Sequence, residues 1–85
     1  METEKLISDK KAVYYVAFSE ILYEEEIGAY TSYGICAMRG EKVLMRVSDL
    51  SVDGEAVEVF ARRLTAGELA LEQLPDAVED FLGNF

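Results

Sequence analysis

The chain has 85 residues, a mass of 9.5 kDa and a formal net charge of −9, with 17 acidic residues against 8 basic ones. This length corresponds to one small domain, and a hydrophobic content of 51% indicates a folded globule. Histidine is missing, which excludes Ser-His-Asp triads, Cys-His pairs and histidine-ligated zinc. The one cysteine, Cys36, excludes an internal disulfide and favours a reducing, cytoplasmic location. The acidic balance argues against direct binding of nucleic acid.

Residues 1–11 are polar and mixed in charge, so we predict a flexible N-terminal segment followed by a single domain over residues 12–85. The segment lacks the apolar centre of a signal peptide. No stretch reaches the roughly 18 apolar residues that a membrane span requires. We therefore expect a cytoplasmic protein that has no membrane partner.

Three stretches have the composition of β-strands. Residues 12–23 are rich in aromatic and β-branched side chains and end at three glutamates, Glu24, Glu25 and Glu26. Residues 29–38 and 42–50 form the second and third predicted strands, and the Arg39-Gly40-Glu41 segment between them is typical of a hairpin turn. Short connections predict an antiparallel meander.

Regular alternation along the strands separates two sheet faces. One face is the more apolar and is predicted to lie under the helices; it carries Gly34, Cys36, Met38, Val43, Met45 and Val47. The other combines apolar bodies with polar ends, and no helix is left to cover it. Such a composition is typical of protein interfaces. The interface predicted on that face consists of Tyr15, Tyr33, Ile35, Leu44 and Arg46.

The hydrophobic period then changes to that of a helix. Asp53 is a favourable N-cap, and Val57, Phe60, Ala61 and Leu64 follow at helical spacing up to a stop at Gly67. A second helix is predicted to begin near Pro75. Residues 68–73 fit either a helical turn or an extended connector. The order βββαα predicts an α+β fold in which both helices pack on one face of the sheet.

Three segments carry a resemblance to known proteins: Leu50-Ser51 at the entrance to the first helix, LPDAVEDFL at residues 74–82, and YTSYGI at residues 30–35. They are similar to a small uncharacterised family, a domain of unknown function, from clostridial-type bacteria. The resemblance implies a bacterial, cytosolic setting. The family has no assigned activity, so no catalytic residue is carried over.

Candidate chemical groups have simpler structural explanations. Cys36 lies in the middle of a strand among apolar neighbours, as an inert core cysteine does. Asp76, Glu79 and Asp80 share one helical neighbourhood, but the spacing of an EF-hand loop is missing and acids near a helix N-terminus are favourable in water. We predict no catalytic, cofactor or metal site, and hence no enzymatic activity.

Charge is unevenly distributed. Residues 1–50 carry 9 acids and 6 bases, whereas residues 51–85 carry 8 acids and 2 bases. No base follows Arg63, and the predicted acidic surface consists of Glu68, Glu72, Asp76, Glu79 and Asp80. The leading functional hypothesis is a non-enzymatic protein-interaction module, homodimeric through its sheet. The alternative is an acidic inhibitor that mimics nucleic acid and binds a basic protein.

Overall fold

The computed structural model describes residues 12–83. Three antiparallel strands, β1 (Tyr14–Glu24), β2 (Gly28–Arg39) and β3 (Lys42–Ser51), form a sheet of order β1-β2-β3. Two helices follow, α1 (Gly54–Ala66) and α2 (Leu74–Gly83), with a short 3-10 helix (Leu71–Gln73) before α2. The predicted α+β βββαα layout is confirmed. The predicted flexible segment, residues 1–11, lies outside the described residues.

The β1–β2 hairpin is regular over its whole length. Its register runs without interruption from Tyr14 opposite Met38 to Glu24 opposite Gly28. The turn between the strands is closed by the Glu24 carboxylate, whose Oε1 accepts from the amides of Glu26 at 3.0 Å and Ile27 at 3.3 Å. Gly28 leaves the turn at φ +83°, a conformation that glycine adopts without strain. The turn over residues 25–27, which follows Glu24, is therefore ordered by hydrogen bonds.

The β2–β3 hairpin is irregular. Arg39 lies opposite Lys42, as the predicted turn at Gly40 requires. Met38 then pairs with Val43, but Ala37 pairs with Met45, so Leu44 is an extra residue on β3. Such a bulge shifts the following residues of β3 by one position relative to β2. A second irregularity lies between Val47 and Ser51.

Helix α1 begins at the predicted cap. The Asp53 carboxylate accepts from the Ala56 amide at 3.2 Å, and the helix buries Val57, Ala61 and Leu64. Residues 68–73 combine a bend at Glu68, where φ is +55°, with the 3-10 helix. Within residues 12–83, no helix has both the length and the apolar character that a bilayer span needs.

The two helices pack against each other and against the sheet. The rings of Phe60 on α1 and Phe81 on α2 stack with centroids 4.4 Å apart. Leu74, at the start of α2, is fully buried in the same core as Ile35 and Ala37 of β2. Both helices therefore cover one face of the sheet.

Tyr15 connects β1 to the helical layer. Its amide donates to Thr65 Oγ1 on α1 at 2.8 Å, and the same oxygen lies 3.2 Å from the Tyr15 carbonyl. The phenol donates to the Leu69 carbonyl at 2.8 Å, which holds the connector between the helices against the sheet. These contacts place the C-terminal end of α1 at the edge of the sheet.

The prediction of which face the helices cover is wrong for Gly34, Cys36, Met38 and Val43, whereas Met45 and Val47 do pack against the core. The core lies on the face of Tyr15, Ile35 and Ala37, and Cys36, placed in the core by sequence, is only half-buried on the opposite face. The bulge at Leu44 explains why residues of β2 and β3 that were predicted to share a face do not share one. A shift of one residue moves every later side chain of a strand to the other face, so Met45 and Val47 join Ala37 and Ile35, and Arg46 joins Cys36.

Replacing Tyr15 with Phe should lower the free energy of unfolding by about 1 kcal/mol, because the Leu69 carbonyl loses its donor. Tyr23→Phe is the matched control, since Tyr23 is 74% exposed, and it should leave stability unchanged. Urea denaturation of both variants measures the difference. Equal stability of the two would show that the Tyr15 hydroxyl contributes nothing.

Burial raises the pKa of the Tyr15 phenol, and the negative charge of Glu72 raises it further. Above a pH of about 10 the unfolded chain releases this proton while the folded chain keeps it. The free energy of unfolding should therefore fall as the pH rises above that value and be independent of Tyr15 ionisation below it. Urea titrations at alkaline pH should give a shallower fall for Tyr15→Phe than for Tyr23→Phe.

Candidate interaction surface

The helices cover only part of the β1–β2 hairpin. Helix α1 has 13 residues and is about 20 Å long, whereas β1 has 11 residues and extends about 36 Å. On the helix-facing side of β1, Tyr15 is buried and Ala17 half-buried, but Ser19 and the residues beyond it are exposed. We call residues 19–32 the hairpin arm.

The arm ends in a group of exposed apolar side chains. Ile21 is 76% exposed, Tyr23 74% and Ile27 68%. Ile21 and Tyr23 are two residues apart and so point to the same side of β1. Because Glu24 orders the turn beside them, the backbone that carries these side chains has a defined conformation.

The outer edge of β1 offers backbone hydrogen-bonding groups along the arm. The Tyr15 amide and carbonyl both face Thr65, away from β2. In an antiparallel pair, residues alternate between facing the partner strand and facing away from it. The amides and carbonyls of Ser19, Ile21 and Tyr23 therefore point outward like those of Tyr15.

The sheet face opposite the helices, which we call the open face, carries a layered contact. The Arg46 guanidinium lies 4.1 Å above the ring of Phe18 and donates to Glu20 Oε1 at 3.3 Å. Phe18 in turn lies on Gly34, where an added Cβ would approach its ring to 2.7 Å and would collide with the carbonyl of Val47. The close approach of ring and backbone requires glycine at this position.

A polar cluster continues the open face towards the arm. Ser32 is fully buried and donates to Asp49 Oδ1 at 2.6 Å, and the Tyr30 hydroxyl lies 3.4 Å from Asp49 Oδ2. Asp49 has a φ of +56°, a region that aspartate tolerates better than most residues, and this turns its carboxylate back onto β2. Desolvation raises the pKa of Tyr30, and the carboxylates of Asp49, Glu24 and Glu20 raise it further. These contacts order the base of the arm.

Four of the five residues predicted as an interface lie elsewhere. Tyr15 and Ile35 are buried in the core, and Tyr33 and Leu44 are half-buried against it. Arg46 alone lies on the open face, with its side chain 53% exposed. The open face and the arm, rather than the predicted set, are the uncovered surfaces of the sheet.

All five predicted acidic surface residues are exposed: Glu68, Glu72, Asp76, Glu79 and Asp80. They lie on the connector and α2, on the helical side of the molecule. Among residues 12–83, no three carboxylate or thiol side chains are grouped closely enough to hold a metal ion.

The apolar tip was not singled out by sequence reasoning. Ile21, Tyr23 and Ile27 stand beside or among the glutamates of the turn, and their composition alone is that of an ordinary strand. One signal was available. Within the described residues, β1 is about 16 Å longer than α1, which packs against it, so part of the strand extends beyond that helix.

Comparison with protein-family models, curated proteins and solved structures found no match for the chain. The similarity to a clostridial family therefore stays a prediction, and no activity is carried over from a relative.

Replacing Gly34 with Ala should destabilise the fold by roughly 1–3 kcal/mol, because the added methyl group meets Phe18 and the β3 backbone. Gly83→Ala is the matched control, since no atom lies within 4 Å of a Cβ at that position. Thermal unfolding of both variants measures the effect. A Gly34→Ala protein as stable as the control would contradict the layered contact.

Proposed function

We propose that the protein is a small non-enzymatic protein-interaction module that forms a homodimer through the hairpin arm. The observation that carries this proposal is the exposure of Ile21, Tyr23 and Ile27 together on an ordered hairpin beyond the helical layer. Exposed apolar groups gathered in one place are typical of interaction sites. Tyrosine and isoleucine supply contact area with few rotatable bonds.

The contacts around the arm support a binding role. Its register is unbroken, its turn is closed by Glu24, and its base is held by the Ser32–Asp49 hydrogen bond. A surface that is already ordered loses little conformational entropy when it binds. Glu24 and Ser32 are engaged in ordering the arm, and the exposed apolar side chains beside them supply the proposed contact area.

Replacing Ile21 and Tyr23 together with Ser should weaken self-association. Burial of a large apolar side chain contributes about 1.5–3 kcal/mol, so the dissociation constant should rise by at least roughly tenfold. Size-exclusion chromatography with light scattering at micromolar concentration should give twice the 9.5 kDa monomer mass for the wild type and a lower mass for the variant.

The matched control is Val52→Ser, because Val52 is 69% exposed but lies outside the arm, between β3 and α1. It should associate like the wild type. Circular dichroism checks that each variant keeps its fold. A wild type that stays at 9.5 kDa throughout the concentration range would refute the homodimer.

A second candidate function is that of an acidic inhibitor of a basic protein. It is favoured by the exposure of all five acids that follow Arg63. Capture from a bacterial lysate at low and high salt tests it, with the bound proteins identified by mass spectrometry. Basic, nucleic-acid-binding partners whose capture falls steeply with salt would support it. Capture that does not depend on salt would contradict it.

A further inference from the structure

Resting on the proposed self-association, we infer that two copies join edge to edge, with β1 pairing antiparallel to β1 of the partner subunit across a two-fold axis at Ile21. The two three-stranded sheets then form one continuous sheet of six strands. Hydrogen-bonded pairs form between Ser19 and the partner's Tyr23, between Ile21 and the partner's Ile21, and between Tyr23 and the partner's Ser19.

Strand β1 is the edge suited to pairing. An exposed regular edge strand is a template for another strand, whereas bulges protect an edge. The other edge, β3, has the bulge at Leu44, the second irregularity after Val47 and a positive φ at Asp49. β1 has an unbroken register and contains no proline. Its outward amides and carbonyls face away from β2 along the whole arm.

Thr65 limits how far a partner strand can reach. The Thr65 hydroxyl accepts a hydrogen bond from the outward-facing amide of Tyr15 and lies beside the Tyr15 carbonyl, so no partner strand can pair at Tyr15. A two-fold axis at Ser19 would place the partner's Tyr23 opposite Tyr15, against α1. An axis earlier in β1 would bring still more of the partner strand against the helix. The axis must therefore lie beyond Ser19.

Repulsion between like charges excludes the neighbouring positions of the two-fold axis. An axis at Glu20 places the two Glu20 side chains directly opposite each other, and an axis at Leu22 places Glu20 opposite the partner's Glu24. Like charges directly opposite each other in a sheet are destabilising. An axis at Tyr23 leaves one hydrogen-bonded pair before the turn. The axis at Ile21 is the position that remains, and there Glu20 faces the partner's Leu22.

This register also covers two of the three exposed apolar side chains of the arm, Ile21 and Tyr23. Ile21 meets the partner's Ile21 directly, and each Tyr23 lies diagonally beside the partner's Ile21, within reach of an aromatic side chain. These residues are 76% and 74% exposed in a single copy. In the pair they fill the space between the two helical layers, which each single copy leaves open.

Opposite charges meet on the open face. The register places Phe18 opposite the partner's Glu24, and the Arg46 guanidinium lies 4.1 Å above the Phe18 ring. Arg46 and the partner's Glu24 would then lie on the same face of the six-stranded sheet, on either side of Phe18. This placement offsets part of the repulsion between two chains that each carry −9.

Disulfide trapping tests the register. In a Cys36→Ser background, which removes the native thiol, Ile21→Cys should form a disulfide-linked dimer under mild oxidation, because directly paired residues lie within bonding range. Ser19→Cys is the matched control on the same exposed edge. Its two thiols would be about 13 Å apart along the strands, so its linked fraction should be roughly tenfold lower.

A mixing experiment tests the same register with Ile21 intact. Ser19→Cys and Tyr23→Cys proteins in the Cys36→Ser background should link when mixed, and each alone should link much less. Linked heterodimers identified by mass spectrometry support the register. Efficient linking of Ser19→Cys alone, or a light-scattering dimer that links at none of these positions, overturns the register and leaves the homodimer standing. A wild type that stays monomeric refutes the proposed function itself.

Discussion

The contact between Thr65 and the backbone of Tyr15 fixes where the helical layer lies on the sheet. It holds the C-terminal end of α1 on the edge of β1, where the Thr65 hydroxyl accepts a hydrogen bond from the outward-facing amide of Tyr15. The other end of α1 lies over Tyr33, whose ring packs against Gly54 so closely that a Cβ there would come within 2.7 Å of it. Between these two points the helix buries Val57 and its neighbours along one stripe.

A consequence of this anchoring is a molecule with two different parts. Around Tyr15 and Ile35 the sheet is covered by helices and forms the core. Beyond Ser19 the same two strands continue with their helix-facing side exposed and an open outer edge. An uncovered hairpin is marginally stable by itself, since it lacks a packed face. Here the Glu24 turn, the Asp49 contacts and the Phe18–Arg46 layer hold it in place.

The open face and the arm have different characters. On the open face, Phe18 is shielded by Arg46, and Arg46 is paired with Glu20, so the Phe18 ring is already partly removed from water. At the tip, Ile21 and Tyr23 have no such cover. One oxygen of Glu20 is buried and accepts no hydrogen bond, which costs free energy. The buried Glu20 oxygen, the exposed apolar side chains and the open outer edge of β1 all lie on the arm. We therefore place the proposed binding role on the arm.

Much of the fold was predictable from the sequence, because local rules decide it. The strand bounds follow from aromatic and β-branched runs interrupted by Glu24–Glu26 and Gly40, and α1 follows from the Asp53 cap and the apolar spacing from Val57 to Leu64. The absence of histidine excludes sites that need an imidazole, and the acidic charge argues against direct binding of nucleic acid. Both conclusions follow from the sequence alone. Each of these features depends on residues that are neighbours along the chain.

The tertiary structure alone decided which sheet face became the core and where the uncovered surface lies. The bulge at Leu44 exchanges the two faces of β3 relative to β2, and no residue of the turn predicts this bulge. The two faces of β2 carry similar apolar content, with Ile35 and Ala37 on one and Cys36 and Met38 on the other, so composition cannot choose between them. The choice depends on packing between residues far apart in sequence, such as Tyr15 with Thr65, and periodicity within one element carries no information about such pairs.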